Sequence, residues 1–167
     1  MNDNNIFFII YLLNLKPKIH ILLDYKMISI RKFQYKNKEL MRTSHAIRHE
    51  VFVIGQNCPA HLEWEYEEES THFLVFNNKD AVATARHRKT DYGYKLERFA
   101  VLETFRNKGY GHIILKEILN DLKGFNGLIY MHAQSDVLAF YEKMGFKKEG
   151  TEFEEAGIMH FKMILKN

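Results

Sequence analysis

The amino-acid sequence predicts one α/β domain: a mixed central sheet flanked by helices, with a strand–helix–strand core set between antiparallel hairpins. The first sign is the strand-like run Leu96-Glu-Arg-Phe-Ala-Val-Leu102, followed by Arg106-Asn107-Lys108-Gly109-Tyr110-Gly111 and then an amphipathic stretch. In that stretch Ile114, Ile118 and Leu122 share a diagonal with Leu115 and Leu119 beside it, the i, i+4 spacing of a helix with one buried face. The second sign is a set of short β-type runs, separated by turn residues, on both sides of that unit. The third is bulk: 167 residues, 46% hydrophobic and 14% aromatic, can bury a real core and argue against disorder.

Taken in order, Ile6 to Leu15 is apolar but too short to span a bilayer. Asp3 stands in front of it and no small-residue cleavage site follows, which makes it a poor signal peptide. Met27 opens a more ordinary start. Residues 1–26 are therefore expected to be an extension outside the domain, upstream sequence translated from a misplaced start, with the domain itself over 27–167. A peptide from residues 1–26 in native protein, detected by mass spectrometry, would refute the misplaced start.

Ile28 to Phe33 partly alternates apolar and polar residues, as a strand should, and Lys38 to Phe52 reads as a helix carrying Leu40, Met41, Ile47 and Val51. Gly55 and Pro59 break it and lead into an acidic loop, Glu63 to Glu69. Thr71 to Phe76 and Ala81 to Arg88 are strands joined by the turn Asn77-Asn78-Lys79-Asp80, and Asp91-Tyr-Gly93 is a second turn before the Leu96 strand. Past the central helix come a strand, Leu128 to Ala133, and a short helix, Asp136 to Met144, which Gly145 can close in the left-handed conformation. Lys148 to Phe153 and Met159 to Leu165 complete the sheet through Glu155-Ala-Gly157.

A net charge of +3 with scattered Lys and Arg gives no nucleic-acid footprint, and no membrane segment is expected. The single cysteine, Cys58, excludes an intramolecular disulfide and a cysteine-cluster metal site. His45 and His49 stand at i, i+4 but lack an obvious third ligand, so no metal is expected. The expected compartment is the cytoplasm. The glycine segment is either an ordinary turn or an anion cradle. A strand–loop–helix order aims backbone N–H groups and the positive end of a helix at one point, and Arg106 and Lys108 add cations there.

Strand, R-x-x-G-x-G, helix, strand and then Phe140-Tyr141-Glu-Lys-Met-Gly145-Phe146 together resemble the GNAT superfamily of acyl-CoA-dependent N-acetyltransferases. Arg48-His-Glu-Val-Phe-Val53, Gln56-Asn-Cys-Pro59 and Glu154-Glu-Ala-Gly-Ile-Met-His160 resemble its ElaA/YjcF-like branch, and the likeness runs from about Met27 to the C-terminus. The resemblance implies a GNAT-like sheet with a β-α-β acyl-CoA-binding core and acetyl-CoA as acyl donor. It places the CoA pyrophosphate on Arg106, Asn107, Lys108, Gly109, Tyr110 and Gly111. The preceding strand at Phe99, Ala100 and Val101 is implied to splay from its neighbour, pair with the pantetheine arm and offer an N–H to the thioester carbonyl. Gln134 is implied to border that arm, although an ordinary loop amide is an equal reading.

Tyr141 matches the general acid that protonates the departing thiolate. A phenol, pKa about 10, suits a thiol of about 8.5. Glu97, on the strand nearest the thioester, is the candidate base, directly or through water. His132 and His160 are rivals, since imidazole titrates near about 6.5. Glu63, Glu65, Glu67, Glu68 and Glu69 either draw a cationic amine to an acceptor pocket or are a solvated loop. Arg86, His87 and Arg88 are candidates for a phosphate or carboxylate on the acceptor. The expected reaction is direct transfer from acetyl-CoA to a primary amine of a small molecule within a ternary complex. An amino-sugar phosphate acceptor, and a non-catalytic acyl-CoA-binding regulatory module, stand as alternatives, and a homodimer stays open.

Overall fold

The computed structural model describes residues 27–165; the expectations for residues 1–26 lie outside them. Seven strands form one sheet: β1 (Ile28–Gln34), β2 (Ser70–Asn77), β3 (Asp80–Thr90), β4 (Gly93–Val101), β5 (Leu128–Gln134), β6 (Phe146–Glu155) and β7 (Ile158–Leu165). Their order is β1-β2-β3-β4-β5-β7-β6, and every neighbouring pair is antiparallel except β4 with β5. The parallel pair needs a crossover, which α3 (Tyr110–Asp121) supplies, so the predicted strand–helix–strand core sits at the middle of the sheet. The hairpins on either side turn tightly. Asn77 pairs with Asp80 around a left-handed Asn78, and Glu155 pairs with Ile158 around left-handed Ala156 and Gly157.

The helices cover the two faces unequally. Tyr110, Ile114, Leu115 and Ile118 of α3 and Tyr141 of α4 (Leu138–Lys143) pack with Phe73, Val75, Ala85, Leu96, Met131 and Met163 in the larger core. Each large aliphatic side chain buried there contributes about 1.5–3 kcal/mol. On the other face α1 (Lys38–Arg48) lays Leu40, Met41 and Ile47 against Phe33, Leu74 and Ala100. Asn37 caps α1 by accepting the Leu40 N–H at 3.1 Å.

Four boundaries differ from the sequence reading. The helix predicted to Phe52 is α-helical to Arg48 and then widens to a π-helix over His49–Ile54 before Gly55. β4 starts at Gly93 rather than Leu96, because Tyr94 and Lys95 pair with both neighbouring strands. β6 starts at Phe146, directly after Gly145 turns at φ +92°, and the short helix begins as a 3-10 turn over Ser135–Val137. A four-residue helix, α2 (Ala60–Glu63), stands ahead of the acidic loop. No described helix is long and apolar enough to cross a membrane.

Candidate active site

The central strands part. β4 pairs with β5 only at Gly93↔Leu128, Tyr94↔Ile129 and Lys95↔Tyr130; beyond that rung β5 continues on β7 and β4 on β3. The resulting cleft is flanked by Leu96 to Val101 on one side and Met131 to Gln134 on the other. Along β4 the pairing with β3 jumps from Glu97↔Arg86 to Ala100↔Thr84, so Arg98 and Phe99 together oppose one residue. Arg98 stands at φ +58°, a conformation that costs a non-glycine residue about 1–3 kcal/mol. It is held there by donating from Nη2 to the Leu62 carbonyl at 2.5 Å and by Glu63 at 3.4 Å. Past the bulge the Leu102 N–H returns to the Val82 carbonyl, so the polar groups of Val101 face away from β3. The expected splay at Phe99 to Val101 is present.

A buried ion network underlies the bulge. Arg48 bonds Glu63 at 3.3 Å and Glu67 at 2.7 Å; Arg86 bonds Glu67 at 3.1 Å and Glu97 at 3.0 Å; Arg88 and Lys95 reach Glu97 at 3.1 and 3.2 Å. Burial by itself raises the Glu97 carboxyl, but Arg86, the Arg88 hydrogen bond and Lys95 outweigh it and hold Glu97 below the usual carboxylate range. A carboxylate held by three cations is a poor proton acceptor. Glu97→Gln should destabilise the fold by about 3 kcal/mol by leaving buried cations uncompensated. Turnover per folded molecule should fall far less than the ~10²–10⁴-fold that loss of a base costs. Denaturant titration combined with kinetics on the folded fraction checks both.

The same network corrects the reading of the acidic loop. Glu63 and Glu67 turn inward onto arginines, and only Glu65, Glu68 and Glu69 of the five are exposed. Arg86 and Arg88 are spent on Glu97 and Glu67, and His87 lies 2.9 Å from Asp121 on α3, so none of the three is presented to an acceptor. Burial would raise Glu67, yet His45, Arg48 and Arg86 bring it from 4.5 down to about 2. A depressed folded-state pKa gives stability that is complete above the unfolded value and lost as pH falls through the folded one. Unfolding free energy should therefore decline between pH 4.5 and about 2, and Glu67→Gln should flatten that slope. Denaturant midpoints across this range test it; an unchanged slope in the variant would remove Glu67 as the cause.

The glycine loop sits at the start of α3. Gly109 takes φ +86° and Asn107 φ +59°, two left-handed residues that swing the loop into the helix. A Cβ built on Gly109 meets nothing within 4 Å, so backbone conformation, and not crowding within the protein, selects glycine here. The first-turn amides of α3 point out of the helix end, and Gly109 brings no side-chain cap. Arg106 and Lys108 are exposed and fold back on their own loop, Nε to the Val101 carbonyl at 3.3 Å and Nζ to the Thr104 carbonyl at 2.7 Å. Tyr110 is a core residue, packed edge-on to Phe105, so its side chain faces the interior and only its backbone belongs to the loop.

Tyr141 joins these parts. Its ring meets Phe99 of the bulge edge-on at 5.9 Å, and the preceding Phe140 comes within 3.5 Å of a Cβ built on Gly111. Burial raises the Tyr141 phenol above its ordinary value, so it holds its proton throughout the neutral range. Gln134, at the end of β5, exchanges two amide hydrogen bonds with Gln56 at 3.0 and 3.2 Å, tying the strand end to the loop after the π-helix. His132 bonds Glu155 through Nδ1 at 2.7 Å, whereas His160 turns its Nδ1 to the Ile158 carbonyl at 2.8 Å. The loop, the parted strands and Tyr141 thus come together; Glu97 lies beside them but faces its cations. A separate surface depression of about 400 Å³ around Tyr35, His45, Trp64 and Tyr66 includes none of these residues. Its rings are already covered by Lys38, Arg48 and Arg88.

Residues 34–167 match the model of the acetyltransferase (GNAT) domain. The chain is 38% identical over 133 residues to the uncharacterized N-acetyltransferase YjcF of Bacillus subtilis, covering 77% of this chain and 94% of that protein. The crystal structure of Escherichia coli ElaA superposes with a TM-score of 0.76 at 25% identity, over 84% of this chain and 100% of ElaA. The PaiA N-acetyltransferase of Thermoplasma acidophilum, solved in complex with coenzyme A, shares the fold with a TM-score of 0.61 at 18% identity, over 84% of this chain and 99% of its own.

Proposed function

Because the chain belongs to the GNAT acetyltransferase family, in its ElaA/YjcF-like branch, and is on that ground an acyl-transfer enzyme, we propose that it acetylates a primary amine of a small molecule, taking the acetyl group from acetyl-CoA by direct attack within a ternary complex. The observation that carries this reading is the cleft between β4 and β5, which opens past Lys95↔Tyr130 with Gly109 at one end and Phe99 with Tyr141 along its wall. A cleft between parted strands offers backbone groups to an amide-bearing arm; the Val101 N–H faces that way, while its carbonyl accepts from Arg106. The amides at the start of α3 suit a pyrophosphate. The coenzyme A complex of PaiA, which shares the fold, agrees with a CoA thioester as the donor.

In this reading the Val101 backbone polarises the thioester carbonyl and Tyr141 donates its phenolic proton to the leaving sulfur. Gln134, held by Gln56, borders the CoA arm from the β5 side, and Glu97 serves as a positioning residue that keeps β4 in place. A CoA-release assay with acetyl-CoA and a panel of polyamines, amino sugars, amino-sugar phosphates and peptide N-termini tests the proposal. Transfer to a small amine is the expected result. Tight acetyl-CoA binding with no transfer across the panel would overturn it in favour of a binding module.

A further inference from the structure

With Glu97 neutralised, the proton lost by the attacking amine needs another acceptor, and the strand pairing puts one at the mouth of the cleft. The last rung joining the central strands is Lys95↔Tyr130. Two residues on, still before the bulge, alternation places Glu97 of β4 and His132 of β5 on the same face as that rung, the first pair on either side of the opening. Glu97 is held by three cations. His132 is held by a carboxylate: Nδ1 lies 2.7 Å from Glu155 Oε2, and its ring packs edge-on to Phe153 at 4.9 Å. An ionised carboxylate only accepts, so Nδ1 carries the hydrogen and the lone pair of the neutral ring is on Nε2. No described protein group bonds Nε2, and the side chain is 29% exposed, so an acceptor can reach it. His160, the rival, has no carboxylate on its Nδ1 and is almost wholly buried, stacked on Phe153.

We infer that His132, oriented by Glu155, is the general base of the transfer. The inference rests on the acetyl-transfer reading above. As the amine nitrogen bonds the thioester carbon, its proton passes to His132 Nε2; the carbon–sulfur bond breaks and the sulfur takes the Tyr141 proton. Solvent then returns a proton from His132 to Tyr141, so no net proton is consumed for an amine that enters neutral. Glu155 is a positioning residue. The His132 bond, against the opposing effect of burial and with help from Lys95, holds its carboxyl at about 2, so it stays ionised throughout the working range.

The charged and titratable groups around the ring are Glu155 from β6, Lys162 and His160 from β7, Tyr130 from its own strand, and Lys95 and Glu97 across the cleft. His132→Gln should lower kcat by about 10²-fold or more while calorimetry shows unchanged acetyl-CoA affinity. Glu155→Gln should lower kcat by less than His132→Gln does, with acetyl-CoA affinity again unchanged, because the ring loses the carboxylate that fixes its tautomer and orientation. Nitrogen NMR of the His132 ring should show the Nδ1–H form in the native protein and its loss in Glu155→Gln. If wild-type protein releases CoA while His132→Gln is equally fast, or if Glu155→Gln leaves kcat unchanged, His132 is not the base and the acetyl-transfer reading stands. If wild-type protein transfers to no amine, that reading fails and this inference with it.

Discussion

Tyr141→Phe should lower kcat by about 10²–10⁴-fold, the usual worth of a positioned general acid, with little change in acetyl-CoA affinity. The substitution isolates one atom. Tyr141 is buried, and its ring contacts with Phe99, Phe140 and Phe146 are all available to phenylalanine, so packing and fold persist. What disappears is the phenolic proton. Burial, which raises the phenol, also means that no alkaline loss of activity should come from Tyr141 below about pH 10. Steady-state kinetics alongside calorimetry separates the two quantities; wild-type turnover in the variant would reject Tyr141 as the acid.

Gly109→Asp should abolish measurable acetyl-CoA binding, and Gly109→Asn should only weaken it. The two side chains have the same shape, so they separate charge from backbone strain. Both must adopt φ +86°, a left-handed conformation that costs a residue with a Cβ about 1–2 kcal/mol and that Asn107 already tolerates two positions earlier. Space is not the obstacle, since a Cβ at Gly109 meets nothing within the protein. A carboxylate some 4 Å from a pyrophosphate charge costs about 4 kcal/mol at the effective dielectric of a protein surface, roughly a 10³-fold loss of affinity. Calorimetry with acetyl-CoA provides the comparison. Equal affinity in the Asp and Asn variants would refute phosphate binding at this loop.

Most of the fold was legible because most of it obeys simple periods. The i, i+4 diagonal of α3 and the turn residues around Asn78 and Gly157 place the crossover and the hairpins within a few residues. Family membership was legible because motifs in a fixed order span most of the chain. The structural part of Glu97 was half visible: alternation alone puts Arg86 and Arg88 of β3 on one face, with Lys95 and Glu97 of β4 opposite them. Only the register shows that these charges neutralise each other. The inward turn of Glu63 and Glu67 had no local signal, because their partner Arg48 is more than a dozen residues away. Arg98 had none either, since arginine has no preference for positive φ; tertiary bonds to Leu62 and Glu63 put it there. The bond between His132 and Glu155 likewise spans two strands that are distant in sequence.

The bulge at Arg98 divides β4 into two segments of opposite phase. Up to Glu97 the odd-numbered residues look toward the ion network; after Arg98 it is the odd-numbered Phe99 and Val101 that look toward α3 and α4. In unbroken alternation Phe99 and Val101 would instead share a face with Glu97, and Tyr141 would lose the aromatic edge it rests on. The strand therefore carries a one-residue frame shift between the half that secures the sheet and the half that faces the cleft.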